Sequence, residues 1–274
     1  MIQLIECPRD AMQGMENFIP TQTKVDYINR LLQVGFDTID FGSFVSPKTI
    51  PQMKDTAQVL SQLQLSSTTS QLLAIIANVR GAEEACRFEE IAYLGFPLSV
   101  SETFQQRNTR KSIQEALETV IHIQRLCSQH KKQQVVYLSM GFGNPYEEPY
   151  SPDIVAQLVE KLVAEGISIV ALSDTIGVAT PDTIQNLYTT LQPSFPTVTF
   201  GAHLHSPAMS SKEKIQAAYE AGCRRFDGAI RGFGGCPMAK DELTGNIATE
   251  TIVAVLEEKE VLPTTFQKAS FQEA

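Results

Sequence analysis

Residues 167–205 read ISIVALSDTIGVATPDTIQNLYTTLQPSFPTVTFGAHLH, and they hold the unit from which the rest of the chain is built. Ile167–Ser173 is a short, nearly continuous apolar run, as a strand buried on both faces requires. Pro181–Leu191 then spaces its apolar residues three and four apart, the period of a helix with one buried face. Val198–His203 returns to a strand. Strand, helix and strand joined by short connections make a βαβ unit, whose two strands run parallel.

The same alternation extends in both directions. Further candidate strands are Ile2–Glu6, Thr38–Phe41, Leu72–Ala77, Leu98–Ser101, Val135–Ser139 and Arg225–Ala229. Further helices are Lys24–Val34, Ala82–Leu94, Ser112–Cys127, Pro152–Glu165 and Lys212–Ala221. Glycines in Val34-Gly35-Phe36, Leu94-Gly95-Phe96, Glu165-Gly166-Ile167 and Ala221-Gly222-Cys223 read as left-handed caps that end a helix before the next strand. Eight strand–helix pairs without a composition break predict a parallel sheet, and eight strands close a barrel. The expected fold is therefore α/β, a (β/α)8 TIM barrel forming a single catalytic domain over residues 1–274, with a short C-terminal tail from about 259. An open doubly wound sheet is the rival. Its dinucleotide-binding form needs Gly-x-Gly-x-x-Gly after the first strand, and the sequence has none there.

With 274 residues, 43% of them hydrophobic, the chain has ample core for a barrel of about 250 residues. The 19% of charged residues, with no low-complexity segment, argues against disorder. A net charge of −9 argues against a general nucleic-acid binder, whose footprint is a basic face. It leaves room for a local cluster of Lys and Arg that takes phosphates. The opening MIQLIECPRD reads as a first strand rather than a signal peptide. No apolar stretch approaches the ~20 residues needed to cross a bilayer. Five irregularly spaced cysteines (7, 86, 127, 223 and 236) read as reduced thiols of a cytoplasmic protein.

In a barrel the active face lies at the carboxyl ends of the strands, so the residues there carry the functional argument. His203 and His205 stand two apart at a strand end and project to the same side, within reach of one ion; the competing reading is two polar side chains satisfied by water. With a carboxylate such as Asp10 and the amide oxygen of Asn246, the set mixes nitrogen and oxygen donors, which suits Mg²⁺ or Mn²⁺ better than a closed tetrahedral Zn²⁺ site. Cys236 lies between Gly-Gly and Pro, where a thiol has little to pack against and is available for proton transfer. Arg9 can stabilise a developing oxyanion or pair with a nearby carboxylate. Asp174 in Ser-Asp-Thr can cap the next helix or support the site from behind. Lys48, near a helix start, can meet ligand phosphates or be merely solvated. Cys86, Cys127 and Cys223 read as small buried hydrophobes.

Taken together, Pro8-Arg9-Asp10, Ser43-Phe44-Val45-Ser46-Pro47-Lys48 with Pro51-Gln52-Met53, Asp174-Thr175-Ile176-Gly177, His203-x-His205 and Gly234-Gly235-Cys236-Pro237 with Gly245-Asn246-x-Ala248-Thr249-Glu250 resemble the 3-hydroxy-3-methylglutaryl-CoA (HMG-CoA) lyase family, in that family's order, from about residue 2 to 258. The Asp-Thr-Ile-Gly segment and the histidines also occur in the wider metallolyase superfamily, whereas Ser-Phe-Val-Ser-Pro-Lys and the loop cysteine point to the lyase branch. The resemblance implies a divalent metal held by Asp10, His203, His205 and Asn246, and a substrate polarised by Arg9. It also implies proton transfer by Cys236 from a loop that closes over the site, and Asp174 near the reacting hydroxyl. The implied ligand is a small-molecule acyl-CoA, with Lys48 offered to its phosphates, and the implied assembly is a homodimer.

Three departures from the family pattern stand out. Asp40 occupies a position where the family has Glu, in a region that positions Arg9. Arg9-Asp10-Ala11-Met12-Gln13-Gly14 replaces Arg-Asp-Gly-Leu-Gln-Asn, and His205-Ser206-Pro207-Ala208-Met209 replaces His-Asp-Thr-Tyr-Gly. The C-terminal extension is also shorter than the family leads one to expect. These departures bear on the choice of acyl-CoA, so a related lyase or aldolase acting on another 3-hydroxyacyl-CoA or a hydroxy-keto acid is the alternative. A Claisen condensing enzyme is expected to carry a further C-terminal region. A barrel that binds acyl-CoA without catalysis is expected to have lost a ligand or Arg9, and all are present here.

Overall fold

The eight expected strands form and close on one another in chain order. They are β1 (Gln3–Glu6), β2 (Thr38–Ser43), β3 (Gln71–Ile75), β4 (Ile91–Ser99), β5 (Gln133–Ser139), β6 (Ile169–Asp174), β7 (Thr199–Leu204) and β8 (Arg225–Gly228). All neighbours pair in parallel, and the ring shuts through Gln3 opposite Arg225 and Glu6 opposite Gly228. The helices are α1 (Pro8–Gln13), α2 (Thr21–Leu31), α3 (Thr56–Leu60), α4 (Val79–Cys86), α5 (Glu102–Thr109), α6 (Ile113–Gln129), α7 (Pro152–Ala164), α8 (Pro181–Ser194), α9 (Ala208–Glu220), α10 (Thr249–Glu258) and α11 (Lys268–Glu273). This computed structural model describes residues 1–235 and 244–274.

Strand side chains alternate between two cores, as the pleat demands. Ile39, Leu72, Val136, Val170, Ala202, Leu204 and Phe226 face outward into one continuous apolar layer with Ile28, Val120, Val159, Leu187 and Ile215 of the helices. Leu73, Ile75, Val135, Tyr137 and Ala171 face inward and fill the barrel. That alternation decides where the chemistry goes. With Ala202 and Leu204 outward, His203 and His205 turn inward; with Phe226 outward, so do Arg225 and Asp227.

Helix ends follow the expectation at Gly35, Gly166 and Gly222, whose φ values are 84°, 82° and 96°. Gly95 corrects it. The helix expected over Ala82–Leu94 ends at Cys86, and β4 begins at Ile91, so Gly95 lies inside a strand. A Cβ there would stand 2.5 Å from Ile75 Cδ1 and 3.0 Å from Tyr137 Cε2, so this glycine makes room inside the barrel. Residues after 259 fold back onto the barrel: Phe266 and Phe271 meet Phe36 edge-on, and the Gln267 amide donates to the Val34 carbonyl at 2.7 Å.

Candidate active site

Helix α1 starts directly after β1, with Pro8 pre-set for its first position, and this brings Arg9 and Asp10 to the carboxyl end of the barrel in buried positions. Arg9 is held from three sides. Its Nε and Nη2 donate to Asp40 Oδ2, and its Nη1 donates to Asp10 Oδ1 at 2.8 Å and to Gln13 Oε1 at 3.0 Å. Four of the five guanidinium N–H groups are engaged in this way, and one on Nη2 is left among the described residues. Burial opposes the charge on Arg9, but Asp40 and Asp10 outweigh it and raise the pKa further.

Burial alone would raise the Asp10 pKa. Arg9, then the two histidines and the Asn246 hydrogen bond, bring it down to about 2. Asp10 is therefore a fixed negative charge at neutral pH. Asp40 is fully buried in the barrel, and burial holds its pKa up at about 6 in spite of Arg9. Asn246 is drawn in by a bridge with His205. Its Nδ2 donates to Asp10 Oδ2 at 2.6 Å and to the Phe233 carbonyl at 3.0 Å. Both partners only accept, which fixes the nitrogen there and leaves the amide oxygen as the atom able to meet a cation.

The two histidines are oriented through their Nδ1 atoms. His203 Nδ1 lies 3.3 Å from Asp227 Oδ2, and His205 Nδ1 lies 3.2 Å from the Thr175 carbonyl. Because both neighbours are acceptors, each Nδ1 carries a proton, and Nε2 is the ring atom left to meet a cation. His205 Nε2 is buried and has no hydrogen-bond partner among the described residues. Burial lowers the His205 pKa to about 4, helped by His203, so this ring is neutral at pH 7. Burial also acts to lower that of His203, but Asp227 outweighs it and raises it. One atom each from Asp10, His203 and His205 lies within 4.8 Å of the others. An orphaned ring nitrogen, a second nitrogen and a permanently charged carboxylate fit a divalent cation.

The remaining expectations divide. Asp174 does not cap the next helix, whose N-cap is Thr180. Instead its Oδ2 accepts from Lys214 Nζ at 3.0 Å and from the Ala179 amide at 3.1 Å, while Oδ1 has no partner among the described residues. Burial, opposed by Lys214, keeps its pKa above the ordinary value. Lys48 is exposed on the loop before the 3-10 turn at Pro51–Met53, not at a helix start, and it does not line the neighbouring cavity. That cavity, about 220 Å³, opens beyond β2 and β3 between Ser43, Pro47, Lys54, Asn78 and Arg80. Cys236 lies outside the described residues.

Sequence reading missed Arg225, Asp227 and Lys214. All three are buried, and Lys214 Nζ also donates to the His205 carbonyl at 3.0 Å. Arg225 and Asp227 were findable, because they share a face of the strand by the same two-residue period that singles out the histidines.

A family model described as HMGL-like matches residues 2–272. The chain belongs to the HMGL-like family. Lyases of this family depend on a divalent metal. The hydroxymethylglutaryl-CoA lyase YngG of Bacillus subtilis is 33% identical over 262 residues, covering 93% of this chain and 84% of its own. A 3-hydroxy-3-isohexenylglutaryl-CoA/hydroxy-methylglutaryl-CoA lyase of Pseudomonas aeruginosa is 32% identical over 263 residues, covering 95% and 86%. Among solved structures, an HMG-CoA lyase from Acinetobacter baumannii in complex with coenzyme A and 3-methylmalate superposes with a TM-score of 0.90 at 32% identity, covering 100% of this chain and 88% of that one. No described helix of this family member is long and apolar enough to cross a membrane.

Proposed function

We propose that the chain cleaves HMG-CoA to acetyl-CoA and acetoacetate, with Mg²⁺ or Mn²⁺ held by Asp10, His203, His205 and Asn246. As a member of its family the chain is a carbon–carbon lyase. The observation that carries the assignment to this site is the convergence of two ring nitrogens and a carboxylate within 4.8 Å, beside an arginine with one N–H uncommitted among the described residues. When bound, the cation supplies charge stabilisation to the substrate oxygens.

The protein's own groups divide the remaining work. Asp174, with Oδ2 held by Lys214 and Oδ1 without a partner among the described residues, takes the proton of the C3 hydroxyl. As that hydroxyl becomes a ketone the C2–C3 bond breaks, and the electron pair passes to C2 and the thioester carbonyl. Arg9 donates to that oxygen as charge builds on it, already oriented by Asp40 and Gln13. Cys236, assigned from sequence, returns a proton to C2 to give acetyl-CoA. Lys54 and Arg80, on the wall of the 220 Å³ cavity, are better placed than Lys48 for the phosphates of coenzyme A.

The test is Arg9→Gln. Mn²⁺ binding by calorimetry is expected to persist while kcat falls by roughly 10²–10³ or more; surviving turnover refutes the role given to Arg9. One feature favours a second reading, in which the substrate carries a longer apolar group at C3. The Pseudomonas aeruginosa relative, 32% identical to this chain, is described as a lyase of the 3-isohexenyl substrate as well as the 3-methyl one. Steady-state assays with both substrates separate the readings by their kcat/KM ratio.

A further inference from the structure

Next to the Asp10–His203–His205 group, inside the barrel, lies a buried ion pair for which the proposed chemistry has no use. Arg225 Nη1 donates to Asp227 Oδ1 at 2.7 Å, and the other oxygen of Asp227 is the one 3.3 Å from His203 Nδ1. Strand register pairs His203 directly with Asp227 across β7 and β8. The guanidinium lies against Gly201, where a Cβ would stand 3.0 Å from Nη1. Strand β7 thus gives up a side chain two residues before its first histidine, and that space houses Arg225. Burying such a pair costs desolvation, and ion pairs of this kind are weak contributors to stability. The arrangement therefore calls for a reason other than stability.

Geometry supplies one. Asp227 accepts from Nδ1 of His203, which leaves Nε2 as the ring atom for a cation shared with Asp10 and His205. Asp227 and His203 also form a second group of potential ligand atoms, with Cys7, again within 4.8 Å of one another. A cation drawn to that group would compete for His203. Arg225 already places a positive charge on Asp227, and this disfavours a metal ion there.

We infer that the Arg225–Asp227 pair is a positioning device, which sets His203 as an Nε2 donor and closes the competing ligand group to cations. This rests on the cation reading of Asp10, His203 and His205. The neutralised double variant Arg225→Met/Asp227→Leu removes the pair, and with it the acceptor for His203 Nδ1, without leaving an unpaired buried charge. Calorimetric titration of metal-free protein with Mn²⁺ is expected to show a Kd about 10–100-fold weaker than wild type. An unchanged Kd in the folded double variant overturns the inference. Absence of Mn²⁺ binding by the wild type overturns the cation reading and the inference with it, a different result from the first. A second measurement needs no variant: ¹H–¹⁵N correlation spectra of histidine-labelled, metal-free wild type, taken at a pH where the His203 ring is neutral, are expected to find it protonated at Nδ1. The Nε2–H tautomer at that residue overturns the inference.

Discussion

Arg9 is fixed before any substrate arrives, with Asp40, Asp10 and Gln13 each taking part of its donor set. Asp40 is the weak point in that arrangement. Its folded pKa of about 6 lies above the ordinary carboxylate value, so as pH falls through 6 it takes a proton and Arg9 loses a charge that orients it. We expect kcat/KM of the wild type to fall below about pH 6. Asp40→Asn should be impaired at all pH values, by roughly 10²-fold, as misorientation of a catalytic group commonly costs. Asp40→Glu, the family's residue, should keep most of the activity. A pH–rate profile of Asp40→Asn with the wild-type acid limb intact contradicts the role assigned to Asp40. At this scale the sequence was informative about Arg9, Asp10, His203, His205 and Asn246, because strand ends of a barrel converge. It was silent on Lys214, since nothing local distinguishes a helix lysine in water from one buried against Asp174 and two carbonyls.

Among the elements, the turns between helix and strand differ in how much they tolerate. Gly166 and Gly35 both have left-handed φ, 82° and 84°. A Cβ at Gly166 meets nothing closer than Gln124 Nε2 at 3.6 Å, whereas at Gly35 it would stand 2.2 Å from the Thr265 carbonyl oxygen. Gly166→Ala should therefore cost only the left-handed penalty, about 1 kcal/mol. Gly35→Ala should cost clearly more, because the C-terminal segment must move off the barrel. Urea unfolding of the two variants checks the order, and equal losses contradict it. All eight strands were legible from apolar runs, but the start of β4 was not. Ile91 and Leu94 stand three apart and mimic a helix face, while Gly95 resembles a cap. Only the contacts with Ile75 and Tyr137 across the barrel show why a glycine sits there.

In the whole molecule, closure of the ring is tied to one buried acid. Glu6, at the end of β1, accepts from the Ile230 amide at 2.8 Å and from the Thr249 hydroxyl, joining the first strand to the chain after the last. Burial pushes its pKa up to about 8, against the lowering effect of those hydrogen bonds. In the unfolded chain the same group ionises near 4.5. Its contribution to stability is thus complete below about pH 4.5 and is lost as pH rises to about 8. Glu6→Gln should flatten the decline of Tm over that range, as measured by calorimetry at several pH values; an unchanged slope refutes the assignment. No sequence pattern marks Glu6, since a carboxylate on the outer face of a strand is ordinarily in water.

Metal-dependent cleavage of HMG-CoA by the Asp10–His203–His205–Asn246 site is tested most directly by product analysis on chelator-treated protein. Addition of Mg²⁺ or Mn²⁺ should release acetoacetate and acetyl-CoA from HMG-CoA in equal amounts, and His205→Ala should abolish both. No acetoacetate with either metal, or the same release without metal, would exclude metal-dependent cleavage at this site.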